Sequence, residues 1–182
     1  MGTREQILDT ALELFLAQGY DATSLRQIAE RLQLTKAALY YHFPAKELLL
    51  LELTRPLLDG MGRLVTELRS AEDHDPRAVL SAYLDLFIEH VDIVGLLGRE
   101  PATLHHPDVG QRAHSLAIAI QRQLAGVDPQ PERAVRTACA LGVIHSAAQI
   151  PPGMLAEQRD IILAAAIAAL GEAVPTQSAQ RK

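Results

Sequence analysis

The sequence predicts an all-α protein, in which three short N-terminal helices precede a larger helical domain. Alanine and leucine are abundant along the 182 residues and runs of β-branched residues are few, a composition that favours helices. Apolar side chains recur at i, i+3, i+4 and i+7 in successive segments, which is the period of one helical face. Proline and glycine stand between many of these segments, and the sequence contains neither a strand pair nor an internal repeat.

Length and composition are those of an ordinary globular chain with one large or two small domains. The single cysteine, Cys139, excludes an intrachain disulfide and argues against a cysteine-based zinc site; its place among alanines is an inert setting. Residues 1–10 do not resemble a signal peptide, and the apolar stretch Ile161–Leu170 is too short to span a bilayer. We therefore expect a cytoplasmic protein that does not associate with a membrane.

The first predicted helix runs from Thr3, a candidate N-cap, to Gln18, and Gly19 ends it, as glycine commonly does at this position. Its predicted buried face consists of five apolar residues at helical spacing: Ile7, Leu8, Ala11, Leu14 and Phe15. We expect this helix to pack across the next two and to complete a three-helix domain.

The stretch Thr23–Lys46 holds two short helical patterns separated by a very short break. Ser24 and Gln27 have capping-box spacing at the start of the first helix, and Thr35 is a candidate cap for the second. Pro44 ends the second helix, because the residue before a proline is biased out of the α region. Two short helices joined by three or four residues form a helix-turn-helix arrangement.

The second helix of this arrangement carries side chains that suit a DNA groove. With Leu39 pointing inward, four residues remain on its outer side: Lys36, Ala37, Tyr40 and Tyr41. Tyrosine hydroxyls and lysine reach phosphates, small residues allow close approach, and base edges are read near the helix N-terminus. We assign DNA contacts to Ser24, Arg26, Thr35, Lys36, Ala37, Tyr40, Tyr41, His42 and Lys46. Of these, Lys46 and Tyr40 are assigned to phosphates, and Lys36 and Tyr41 to positions nearest the bases. The alternative is that the aromatic residues at 40, 41 and 43 are core residues of a small helical domain.

The net charge of −5 argues mildly against a nucleic-acid binder, so the distribution of charge matters. Residues 1–48 hold five basic and six acidic side chains, so this region is not a basic domain. DNA binding therefore depends on a local patch formed by Arg26, Lys36 and Lys46, and on the presence of two copies in a dimer.

The run Thr3–Leu50 resembles the N-terminal domain of TetR-type (tetracycline-repressor-like) transcriptional regulators. The resemblance lies in TSLRQIAERL…LTKAALYYHFPAKELLL, preceded by REQILDTALELFLAQGYDAT. Ala37 departs from the pattern, since many relatives have glycine there, and its methyl group bears on base preference. The resemblance implies a homodimer in which residues 1–46 bind a palindromic operator in duplex DNA. Residues 47–174 would dimerise and hold a small-molecule effector that releases repression. The polar composition of residues 175–182 independently predicts a disordered tail.

A long helix from Ala45 to Ser70 contains Pro56, for which two interpretations remain open. Proline either kinks this helix and makes it a weak point for signalling, or it starts a new helix after a short one. We predict an effector cavity between this helix and those around Ala78–Val91 and Asp108–Ala125. Its walls are expected to be mainly apolar, and the residues assigned to it are Tyr83, Phe87, His90 and His114.

Cap residues, prolines and glycines delimit the remaining helices. A helix is expected from Asp75-Pro76 to about Val91, after which Gly95 and Gly98 interrupt the pattern. The other expected elements are a single turn at Pro101–His105, a helix from Pro107 or Asp108 to about Ala125, a loop at Gly126–Pro131, and helices at Pro131–Ile150 and Met154–Ala173.

The last two predicted helices are crowded with alanine and glycine, which let backbones approach closely. In the family that this chain resembles, the final two helices form a four-helix bundle across a twofold axis, and this composition fits that use. The alternative is a tightly packed internal hairpin. We therefore expect a homodimer held by these helices.

Enzyme and metal chemistry receive little support from the sequence. No GxSxG motif, P-loop or GxGxxG motif is present, and no HxxxH or HExxH pair offers metal ligands, so no catalytic residue, metal site or cofactor is assigned. The alternative function is a helical-bundle enzyme or small-molecule carrier that retains a vestigial DNA-binding domain. The carboxylates Asp85, Glu89 and Asp92 fall at helical spacing, where they either sense a cationic ligand or form a solvated face.

Overall fold

A computed structural model describes residues 2–70, 74–99, 107–126, 128–147, 150 and 152–171, and within these ranges the regular structure is entirely helical. The helices are α1 Thr3–Gln18, α2 Leu25–Arg31, α3 Lys36–His42, α4 Lys46–Ser70, α5 Pro76–Glu89, α6 Val91–Arg99, α7 Pro107–Ala125, α8 Pro131–Ala147, α9 Pro152–Glu157 and α10 Arg159–Leu170. The predicted turn at Pro101–His105 and the predicted tail at 175–182 lie outside the described residues. The predicted all-α fold class is confirmed.

The three N-terminal helices form as the cap signals predicted, except at the start of α1. Ser24 accepts a hydrogen bond from the Gln27 amide at 3.3 Å, and Thr35 accepts one from the Ala38 amide at 3.1 Å. These contacts fix where α2 and α3 begin, because they satisfy amides that have no partner within the helix. The N-cap position of α1 is Gly2, so the prediction of Thr3 as its cap was wrong.

Helix α4 continues through Pro56 without a break, so the interpretation in which proline starts a new helix was wrong. Proline cannot donate a hydrogen bond to the carbonyl of Glu52, four residues earlier. Nearby, the buried Thr54 hydroxyl donates to the Leu50 carbonyl at 2.8 Å, a side-chain bond that often bends helices. The helix therefore has a local weak point close to its middle.

Two predicted boundaries in the second half of the chain were wrong. Gly95 and Gly98 do not interrupt the helical structure but belong to α6. The apolar residues of α6 are buried against α1, α4 and α5. The predicted last helix is divided into α9 and α10, with the break at Gln158. In α6, burial of the apolar residues outweighs the low helix propensity of glycine.

The second domain is built around two packed pairs, α4 with α7 and α8 with α10, and α5 contacts a member of each pair. Arg159 at the start of α10 binds α5 through a bidentate pair with Asp85, at 2.6 and 2.8 Å, and a hydrogen bond to Ser81 at 2.7 Å. The Arg159 guanidinium holds the pKa of the Asp85 carboxyl below its usual value. Among the described residues, no helix combines the length and apolarity that crossing a bilayer would require.

Two glycines of α4 are expected to respond in opposite ways to alanine. A Cβ at Gly62 meets no atom within 4 Å, so Gly62→Ala should stabilise the fold by up to about 1 kcal/mol through helix propensity. A Cβ at Gly60 would lie 2.6 Å from Leu86 Cδ2 of α5, so Gly60→Ala should lose that gain and destabilise the fold by about 1 kcal/mol. Urea unfolding of the two variants checks this, and equal stabilisation by both would refute close packing of α4 on α5.

Candidate DNA-binding surface and internal cavity

Helix α3 presents a polar and aromatic surface to solvent. Tyr41 is 85% exposed and Tyr40 is 41% exposed, while Leu39 on the opposite side is fully buried and holds the helix in place. The core interpretation of the aromatic residues is therefore right only for Phe43, which is buried. Seven of the nine residues assigned to DNA are exposed: Ser24, Arg26, Thr35, Lys36, Ala37, Tyr40 and Tyr41.

Neighbouring side chains on this surface contact one another. The Lys36 ammonium lies 5.3 Å from the centroid of the Tyr40 ring, a cation–π contact, and the Tyr41 ring meets the His42 ring edge-on at 5.4 Å. Three of these exposed residues already use their polar groups within the chain. Ser24 caps α2 and Thr35 caps α3. Arg26 Nε donates to Glu30 Oε1 at 2.7 Å, which partly neutralises the positive charge there.

The Lys46 side chain binds the turn after α1 instead of extending into solvent. Its ammonium donates to the Tyr20 carbonyl at 2.8 Å and lies 4.2 Å from the Tyr20 ring centroid. Burial, reinforced by Glu47 and Asp21, raises the pKa of Tyr20 to about 12, so the phenol below the ammonium stays neutral. Lys46 thus ties the start of α4 to the turn after α1, a structural role that the assignment to phosphate did not foresee.

A cavity of about 580 Å³ lies in the second domain, between the helices where one was expected. Helices α4, α5 and α7 contribute walls, and so do α6 and one residue of α8. Among the assigned residues, Tyr83, Phe87 and His114 line the cavity. His90 is not among its lining residues; it follows α5 as the C-cap, because α5 ends at Glu89 and the chain turns into α6.

The polar part of the cavity is an aromatic cluster that includes a residue not assigned from the sequence. The Tyr83 hydroxyl and His145 Nε2 are hydrogen-bonded at 2.9 Å, and the His145 ring stacks on Phe87 with a centroid separation of 5.6 Å. Burial raises the pKa of Tyr83 and lowers the pKa of His145, so both groups favour their neutral forms. His145 stood out in the sequence only as one of several histidines, since its partner is remote in the chain.

The three N-terminal helices are joined to the cavity region through α4 and α6. Arg4 of α1 pairs with Glu52 of α4 at 2.8 Å and lies over the Phe43 ring at 4.9 Å. Glu52 also pairs with Arg55, one residue before Pro56. Helix α6 packs on α1, and its residues Val94, Leu97 and Gly98 line the cavity, so a single short helix contacts both regions.

Known proteins match this chain in its N-terminal sequence and in its whole fold. The sequence model described as bacterial regulatory proteins, tetR family, matches residues 7–53, which include all of α2 and α3. This region of the chain is therefore similar to the tetR family of bacterial regulatory proteins. The match begins within α1 and extends past the start of α4, so it covers the helix-turn-helix and the helices that support it.

Individual proteins are similar over part or all of the chain. The HTH-type regulator YuxN of Bacillus subtilis is 30% identical over 114 residues, which are 60% of this chain and 39% of YuxN. The HTH-type regulator AcrR of Shigella flexneri is 39% identical over 82 residues, 45% of this chain and 38% of AcrR. The chain therefore spans about two fifths of the length of these curated relatives. The crystal structure of AmtR from Mycobacterium smegmatis is 25% identical with a TM-score of 0.60, and the match covers 96% of this chain and 97% of AmtR.

Three features of this chain were missed from the sequence: His145 in the cavity wall, the contribution of α6 to that wall, and the contacts of Lys46 with Tyr20. A signal for α6 was present, since Val94 and Leu97 stand three residues apart in an apolar run, but the glycines beside them were given more weight. Among the described side chains, no three residues of metal-binding type come together.

Proposed function

We propose that this chain is a homodimeric, sequence-specific DNA-binding regulator of transcription, a repressor that leaves its operator when a small molecule fills the cavity. The observation that carries the proposal is the outer face of α3. An exposed lysine and two exposed tyrosines on a capped helix, anchored from behind by the buried Leu39, suit insertion into a major groove. The names of matched relatives, including the repressor KstR2 of Rhodococcus jostii, support the same function.

In this proposal residues 1–46 form the DNA-binding domain and residues 47–174 the ligand-binding and dimerisation domain. Lys36 and Tyr41 lie nearest the bases, and Tyr40 meets phosphate. Lys46 holds α4 against the turn at Tyr20, so it supports the surface more than it contacts DNA. Ala37 is exposed beside Lys36, and its methyl group contributes to base preference.

The dimer is proposed to form through α8 and α10. On α8 an exposed face of small or apolar residues runs along Val135, Ala138 and Cys139, and on α10 a second runs along Ile161 and Ala165. Val135 is 62% exposed and Ile161 is 67% exposed, so both side chains are available to a partner helix. A second copy of the chain covers both faces at once, because an isologous interface brings the same two helices from each partner together.

The proposed operator is palindromic, with half-sites centred about one helical turn of DNA apart, roughly 34–36 Å. Selection of binding sites from a random duplex pool tests this, with the protein's own oligomeric state measured alongside. Enrichment of an inverted repeat supports the proposal. Recovery of no sequence, with binding that depends on salt alone, would favour the enzyme or carrier with a vestigial DNA-binding domain.

The proposed switch is a pivot of α4 at Pro56. Residues before the proline are tied to α1 through Glu52 and Arg4, and residues after it, Leu57 and Met61, line the cavity. A ligand can shift the equilibrium between DNA-binding and released states only through different affinities for the two. A weak point between the two ends of α4 gives the cavity a means of changing the separation of the α3 helices.

Pro56→Ala is expected to stiffen α4, because alanine restores the backbone donor to the Glu52 carbonyl. Spin labels placed at Ala17, in a background where Cys139 is alanine, report the distance between the two α1 helices of the dimer. We expect a narrower distance distribution for Pro56→Ala and an altered affinity for the selected DNA site. Unchanged width and unchanged affinity would show that Pro56 is not a hinge.

A further inference from the structure

Among the described residues that line the cavity, none is Asp, Glu, Lys or Arg. The described lining residues with polar side chains are Tyr83, His114 and His145. The volume of about 580 Å³ lies within the range of roughly 300–1,000 Å³ that holds drug-sized ligands. A charged ligand entering such a site would lose its hydration without meeting a counter-charge.

The charged residues near the cavity are engaged elsewhere. Asp85 of α5 faces Arg159 rather than the cavity, and Asp59 of α4 pairs with Arg112 of α7 at 2.6 Å on the outside of the α4–α7 contact. Glu89 and Asp92, which the sequence offered as sensors of a cation, are exposed and do not line the cavity. Among the described residues, therefore, no carboxylate is available to receive a cationic ligand in this cavity.

The Tyr83–His145 pair retains hydrogen-bonding capacity toward the cavity. If the Tyr83 hydroxyl donates to Nε2, both lone pairs of its oxygen can still accept. If the imidazole N–H donates instead, one lone pair remains and the phenol proton is free. In either tautomer the Tyr83 oxygen accepts one hydrogen bond from a ligand, and burial of Tyr83 favours its uncharged state.

We propose that the effector is an uncharged, largely hydrocarbon molecule bearing one hydroxyl or amide N–H, which donates to the Tyr83 oxygen of the Tyr83–His145 pair. The apolar walls supplied by α4, α6 and α7 accommodate the hydrocarbon body. This inference rests on the proposed function only where it calls the ligand an effector. The chemistry of the ligand is inferred from the cavity alone.

Four fluorescent probes of one ring shape test the proposal: pyrene, 1-pyrenemethanol, 1-pyrenecarboxylate and 1-pyrenemethylammonium. Fluorescence anisotropy at pH 7.5 gives the affinity of each for the full chain without DNA. We expect pyrenemethanol to bind about 3- to 10-fold more tightly than pyrene, the contribution of one hydrogen bond. The two charged probes should bind at least about 30-fold more weakly than pyrenemethanol, because their charge is buried without a partner.

Tyr83→Phe should remove the advantage of pyrenemethanol over pyrene and leave pyrene binding unchanged. Tyr20→Phe is the matched control, since the Tyr20 hydroxyl is also buried but has no hydrogen-bond partner among the described residues and belongs to the proposed DNA-binding domain. His114→Glu adds a carboxylate to the cavity wall at an exposed position and should strengthen pyrenemethylammonium binding at least about 10-fold. This variant tests the cavity even if Tyr83→Phe does not fold.

Charged probes that bind as tightly as pyrenemethanol, or an alcohol advantage that survives Tyr83→Phe, would overturn the proposal, and so would a lack of binding by all four probes. The proposed regulatory function fails by a different result, the absence of an enriched DNA site. If no DNA site is enriched while the probe order holds, the ligand chemistry stands and the regulator function falls. If a DNA site is enriched but the probe order fails, only the ligand chemistry is refuted.

Discussion

Replacing Lys36 or Tyr41 with alanine is expected to weaken binding to the selected DNA site by about 30-fold or more while the fold remains intact. Each side chain occurs twice in a dimer on a palindrome, and a base contact is worth roughly 1–3 kcal/mol, so the loss is doubled. The fold should tolerate both changes, because Lys36 and Tyr41 are exposed and alanine favours helices. Fluorescence anisotropy with labelled duplex, at several salt concentrations, measures the effect.

The two variants should differ in the salt dependence of DNA binding. Lys36→Ala removes a positive charge and should reduce the salt dependence of binding, whereas Tyr41→Ala should leave it nearly unchanged. Arg63→Ala is the charge-matched control, since Arg63 is exposed on the second half of α4, away from α3. If Arg63→Ala weakens binding as much as Lys36→Ala does, the effect is one of net charge, and α3 is not the recognition helix.

Ala165→Glu is expected to convert the dimer to a monomer and to abolish high-affinity DNA binding. Ala165 is exposed in the single chain, so glutamate there is harmless until a partner covers it. Between two copies the carboxylates are buried without partners near a twofold axis, which costs about 3 kcal/mol or more and raises the dimer dissociation constant at least about 100-fold. Ala138→Glu on α8 should act in the same way.

Analytical ultracentrifugation at micromolar concentration measures this effect, and thermal unfolding shows whether the monomer is folded. Ala82→Glu on α5 is the control, because Ala82 is also exposed but lies on a helix outside the proposed interface. A wild-type chain that is monomeric at these concentrations would refute the α8–α10 dimer. An Ala165→Glu variant that remains dimeric would place the interface elsewhere.

Local signals determined the first half of the fold because each acts within one helical turn. Ser24 and Thr35 cap the helices that they were predicted to cap, and the period of apolar residues placed Leu39 inward and Tyr41 outward. Glycine was a less reliable signal. Its low helix propensity suggested a break near Gly95, but burial of the surrounding apolar residues kept α6 helical.

The sequence by itself determined the all-α class, the bounds of the helix-turn-helix and the residues that α3 exposes, because caps, prolines and helical period depend on near neighbours. Only the tertiary structure decided which distant groups meet. Lys46 binds a carbonyl 26 residues earlier, and His145 bonds to Tyr83, 62 residues away, so neither contact leaves a local pattern. These contacts arise where several helices pack together, and that packing places the Tyr83–His145 pair in the wall of the cavity.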